Sequence, residues 1–170
     1  MRKLDTLARA VWLASLLALA ACVPERDSSQ EIATDLHNYT LELQKWEPKE
    51  KAIFQAVDDV EQSQYVDDDF VLRTLKAALP TLDEHIKEVA VYRPATSDVT
   101  IPHEKYQKGW EDLRVALDAM IASVSRKDYL GLAKGKTQMM QARNLLLKAI
   151  TVMDGLMEEN DDALKNLRKS

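Results

Sequence analysis

The chain has 170 residues, with 23 Lys and Arg against 28 Asp and Glu, three histidines, four glycines and one cysteine. A formal net charge of −5 argues against nucleic acid or an anionic headgroup surface as the main partner. A single cysteine rules out an intrachain disulfide, so a domain of this length must hold together by packing.

In chain order, Met1-Arg2-Lys3 and Arg9 make a positive start interrupted by Asp5, and Ala10 to Ala21 is apolar apart from Ser15. A membrane-spanning helix needs about 20 apolar residues, so this shorter run reads as the hydrophobic region of a signal peptide. The run closes on Leu19-Ala20-Ala21-Cys22. These four residues resemble the lipobox of bacterial lipoproteins, and the resemblance covers residues 1–22 only. It implies cleavage before Cys22, acylation of the Cys22 sulfur, and retention at a membrane, each buried lipid methylene contributing about 0.8 kcal/mol. Val23 in place of Asp after the cysteine implies, by the same resemblance, sorting to the outer membrane where a cell has two. An ordinary signal peptide cut after Ala21 would instead leave a free thiol at the new terminus. Without Arg2, Lys3, Arg9 and Asp5 the mature chain carries 20 basic and 27 acidic residues, a net charge of −7. The expected organisation is a signal peptide over 1–21, a lipidated tether over 22–30 and a helical domain over 31–170.

Beyond the tether no alternating strand pattern is sustained, and apolar residues recur at helical three-and-four spacing. Ser28 and Glu31 have capping-box spacing. Ile32, Leu36, Tyr39, Leu43, Trp46, Ile53, Val57 and Val60 keep one phase, broken in character only by Glu50; since the phase survives Pro48, the expectation is one bent helix. The acidic stretch from Asp58 to Asp69 reads as a turn, with Asp67-Asp68-Asp69 at the start of a second helix. That helix carries Leu72, Leu75, Leu79, Leu82, Ile86 and Val89, and Pro80 followed by Thr81 and Glu84 predicts a kink or brief restart.

A loop from Arg93 to Ile101 is expected next, with Pro102 in the first turn of a third helix. His103, Tyr106, Trp110, Leu113, Leu117, Met120 and Val124 form that helix's apolar face. Ser125 to Asp128 makes a short connection. In the fourth helix Leu132, Met139, Leu146 and Met153 repeat at heptad spacing beside Gly135, Ala142, Ala149 and Leu156, a seam whose small residues permit close approach. The helix is expected to fray after Asn160. Short connections make the predicted fold class all-α, an antiparallel up-down-up-down four-helix bundle with proline kinks in helices 1 and 2.

Counting along the helices places Pro48, Pro80, Trp46, Trp110 and the Ala142-Arg143 pair at about one height, so Trp46, Trp110 and Arg143 are the candidate ligand or partner contacts. Filling of a bent core by the two indoles is the plainer expectation. His37, His85 and His103 fall toward the anchored end with Glu84, Glu88 and Glu104, and are weak metal candidates: no Glu-x-x-His or His-Glu-x-x-His motif occurs. His103 lies on the apolar stripe and His37 and His85 at its flanks. Met153 or Met157 could pair with a histidine at a haem, yet Cys-x-x-Cys-His is absent, and methionines at this spacing usually fill core. The acidic turn lacks the glycine and alternating ligands of an EF-hand. No nucleophile elbow or phosphate loop occurs.

No cofactor and no enzymatic activity are therefore expected. The expected role is a lipid-anchored envelope module that binds or scaffolds an envelope protein partner, as a secretion-system pilotin would, and does not bind nucleic acid. The alternative is a bundle that holds a small ligand such as a metal, haem or an apolar molecule.

Overall fold

A computed structural model describes residues 27–62 and 67–167, and it is an all-α bundle. Cys22, the apolar run before it and the boundary at residue 21 lie outside the described residues. Five helices are seen among them: α1 (Ser29–Gln62), α2 (Asp68–Val91), α3 (Ser97–Ser125), α4 (Tyr129–Glu159) and α5 (Asp161–Leu167). No described helix is long and apolar enough to cross a membrane.

The capping box forms as spaced. The Ser28 N–H donates to the Glu31 carboxylate at 2.9 Å and the Glu31 N–H donates to Ser28 Oγ at 3.3 Å, so α1 begins at Ser29, two residues into the stretch expected to be tether. α1 then runs unbroken through Pro48, and α2 through Pro80, with no restart at Thr81. Both prolines face solvent, where water can take the place of the N–H that each fails to offer the preceding turn. α1 also continues to Gln62, so Asp58 to Gln62, expected in the turn, is helical. Asp67 caps α2, its side chain accepting from the Asp69 N–H at 3.0 Å.

α3 starts at Ser97 rather than at Pro102, which lies inside it. The cause is a long-range contact: buried Asp35 of α1 accepts from the N–H groups of Ala95 (2.9 Å) and Thr96 (2.8 Å) and from the Thr96 hydroxyl (2.8 Å), fixing the chain just before the helix. Instead of fraying, the chain after Asn160 forms α5, whose Leu164 is buried and shares a cleft with His37 and Thr40 of α1. Burying one leucine contributes roughly 2 kcal/mol, enough to favour docking of a seven-residue segment that would not be helical alone.

Side chains tie the helices together: Asp35 of α1 holds Thr96 just before α3, Lys49 of α1 pairs with Glu84 and Glu88 of α2, and Asp83 of α2 pairs with Arg114 of α3. Glycines let α3 and α4 pack closely at two points. A Cβ on Gly109 would stand 2.7 Å from Leu146 Cγ, and one on Gly135 2.6 Å from Met120 Cγ. The expected face of α3 is buried in full, and Met139, Ala142, Leu146, Ala149 and Met153 of α4 pack against the same core.

Candidate functional site

The buried face of α2 is Val71, Leu75, Ala78, Leu82, His85 and Val89, rotated from the stripe read in the sequence. Its largest consequence is His85, expected at the flank and found with no exposed surface. His85 lies edge-on to Trp110 at 4.4 Å and to Trp46 at 6.1 Å between ring centroids. Tyr106 bridges the two indoles, stacked on Trp46 at 6.2 Å and edge-on to Trp110 at 6.0 Å. Toward the α2–α3 connection the rings continue: Tyr39 meets His103 and Tyr92 at 5.5 Å each, and the Tyr39 hydroxyl is 3.2 Å from His103 Nδ1. Edge and offset contacts of this kind contribute about 1 kcal/mol per pair beyond area burial.

One carboxylate enters this cluster. Glu50, the residue out of character in the α1 stripe, accepts a short hydrogen bond from the Tyr106 hydroxyl, and its Oε1 is 3.7 Å from His85 Nε2. Both His85 ring nitrogens and Trp110 Nε1 are buried without a hydrogen-bond partner. Burial, with help from the nearby Lys49 charge, pushes the His85 pKa down to about 4, so the ring is neutral at pH 7. Burial raises the Glu50 carboxyl above its usual range against the opposing Tyr106 hydrogen bond. Tyr106 is raised by burial and then by the Glu50 charge. The trio thus places a neutral imidazole, a carboxyl that binds protons readily and a phenol side by side.

Outside the cluster Lys49 bridges Glu84 at 2.9 Å and Glu88 at 2.5 Å, across a cleft of about 480 Å³ between α1 and α2 whose floor includes Trp46. Trp46 is only 3 % exposed, so the cleft stops at its ring.

Of the candidate contacts, Trp46 and Trp110 belong to one aromatic cluster, while Arg143 sits elsewhere. Its guanidinium lies 5.3 Å over the Phe54 ring and pairs with Asp58 at 2.7 Å and Glu61 at 2.9 Å. Asp58 is twelve residues beyond Trp46 on α1, roughly 18 Å along the axis, so Arg143 does not share the height of Trp46 as the counting predicted. Phe54, under the guanidinium, in turn meets Trp110 at 5.1 Å between ring centroids.

The three histidines do not converge. His85 and His103 flank Trp46, and His37 lines a separate cleft with Met157, Glu158 and Asp161. Among the described residues no three His, Cys, Asp or Glu side chains stand close enough to hold a metal ion. Sequence reasoning passed over Glu50 and Asp35; the signal for Glu50 was a carboxylate in register with Trp46 and Ile53 on an apolar stripe.

No protein-family model, no curated protein and no solved structure matches this chain.

Proposed function

We propose that the chain is a lipid-anchored lipoprotein of the cell envelope, acting without enzymatic activity as a helical module that binds or scaffolds another envelope protein. The observation that carries the reading is Leu19-Ala20-Ala21-Cys22, followed within seven residues by the start of α1. A domain that begins so near a lipidated terminus is held at the membrane by design of the chain, and the resemblance to other lipoproteins directs it to the outer membrane where two membranes exist. The packing of Trp46 and Trp110 into the core supports a structural role for the indoles, which leaves the outer helix faces for a partner. Mass measurement of the protein extracted from its host should give a chain starting at residue 22 with added diacylglyceryl and acyl mass, and crosslinking in the same cells should capture an envelope protein. A chain starting at Met1, or an unmodified residue 22, overturns the reading.

A small-ligand bundle is the second reading, favoured by the unpartnered nitrogens of His85 beside Glu50. An absorption spectrum and native mass spectrum of the detergent-extracted protein decide it: a stoichiometric bound species supports ligand binding, and a mass equal to the acylated chain removes it.

A further inference from the structure

Asp27, five residues beyond Cys22, is already part of the folded domain. Its carboxylate accepts from the N–H of Ser97 at 2.9 Å and from the Ser97 hydroxyl at 2.9 Å, at the first residue of α3, where N–H groups without an intrahelical partner and the positive end of the helix dipole favour an anion. Eight residues further on, Asp35 holds Ala95 and Thr96 of the same connection. The chain that leads to residue 22 therefore leaves the bundle at the α2–α3 corner. From Asp27 the link to Cys22 can reach no more than roughly 17 Å even fully extended.

Two aliphatic side chains at that corner face solvent. Val91, the last residue of α2, is 77 % exposed, and Ile101, one turn into α3, is 56 % exposed. Arg93 between them bonds the backbone carbonyls of Ala90 and Tyr92 rather than a carboxylate, which leaves a positive charge at the corner. The other corner at this end, between α4 and α5, carries Glu158, Glu159, Asp161 and Asp162, whereas the α2–α3 corner sets Arg93 against Asp98 and against Asp27 and Asp35, whose carboxylates are taken up by N–H and hydroxyl groups.

We propose that the α2–α3 corner is a second membrane contact, with Val91 and Ile101 set into the interfacial layer of the bilayer that holds the Cys22 lipid. The proposal rests on acylation of Cys22. A short tether pinned by Asp27 keeps the corner at the headgroups, apolar side chains enter the boundary between headgroups and acyl chains, and Arg93 meets lipid phosphate. The bundle then stands with α4's start, where Leu130 is 84 % exposed, at the far end from the lipid.

The test uses the full acylated protein from its host, in vesicles of phosphatidylethanolamine and phosphatidylglycerol with brominated acyl chains. Val91→Cys, Ile101→Cys and Leu130→Cys each add one free thiol for a bimane label at an exposed site, so folding is not at issue. Labels at 91 and 101 should be quenched several-fold more than the label at 130, and Asp27→Ala should shrink that difference. Quenching at 91 or 101 no greater than at 130, in protein whose mass shows the lipid, overturns this contact and leaves the anchor standing. A mass without lipid overturns both.

Discussion

Glu50 Oε1, on a partly buried side chain, lies 3.7 Å from Nε2 of fully buried His85, with the Tyr106 hydroxyl bound to the same carboxylate oxygen and an indole on either side of the imidazole. Neither group has an ordinary proton affinity, and their burial makes stability change with pH in opposite directions over overlapping ranges.

His85 binds a proton at about 4 in the folded state and at 6.5 when unfolded. A folded-state value below the unfolded one means the unfolded chain takes up the proton first, so stability falls as pH drops from about 6.5 toward 4. The total loss is on the order of 3 kcal/mol. Urea denaturation followed by tryptophan fluorescence should show this slope, and His85→Phe should flatten it while leaving stability at pH 7 equal or higher, because two unpaired buried nitrogens are removed. An unchanged acid slope in the variant counts against the assignment.

Glu50 behaves in the opposite sense. Its folded-state affinity for protons is raised, so the folded state prefers the neutral acid and stability declines as pH rises from 4.5 through the folded value. Glu50→Gln keeps an acceptor for Tyr106 without the charge. It should remove that decline, measured by the same denaturation series between pH 4 and 8.

Asp35 is 3 % exposed and carries three hydrogen bonds to the α2–α3 connection. Asp35→Ala leaves the buried N–H and hydroxyl of Thr96 unpaired and should cost about 2–4 kcal/mol. Hydrogen exchange should rise first at Ala95 and Thr96. Loss of stability without local opening there would place the role of Asp35 elsewhere.

Two glycines give contrasting expectations. Gly109→Ala gains about 1 kcal/mol of helix propensity but drives a methyl into Leu146, with its backbone N only 3.3 Å away, so the net change should be destabilising by about 1 kcal/mol or more. Gly155 has nothing within 4 Å of a Cβ, and Gly155→Ala should stabilise by up to about 1 kcal/mol. Thermal melts of the two variants should shift in opposite directions.

How much of this was legible depended on how local the cause was. The helix starts at Ser28–Glu31 and Asp67, and the large side chains on the buried face of α3 from His103 to Val124, could be read because each follows from spacing along one helix. The face of α2 was ambiguous, since Leu75, Leu82 and Val89 belong equally to a stripe through Val71, Ala78 and His85 and to one through Leu72, Leu79 and Ile86. A polar His85 made the wrong stripe look more apolar.

By itself the sequence determined that the chain builds amphipathic helices, where the first two begin, and that Cys22 stands in a lipobox-like context, because caps, periodicity and short motifs act within a few residues. Only the tertiary structure decided that His85 is buried in the core with Glu50 against it, that Asp27 and Asp35 hold the α2–α3 connection, and that residues after Asn160 turn back as α5. Each of those depends on which groups from distant segments meet in a low-dielectric interior, and residue spacing along one helix carries no information about the element packed against it.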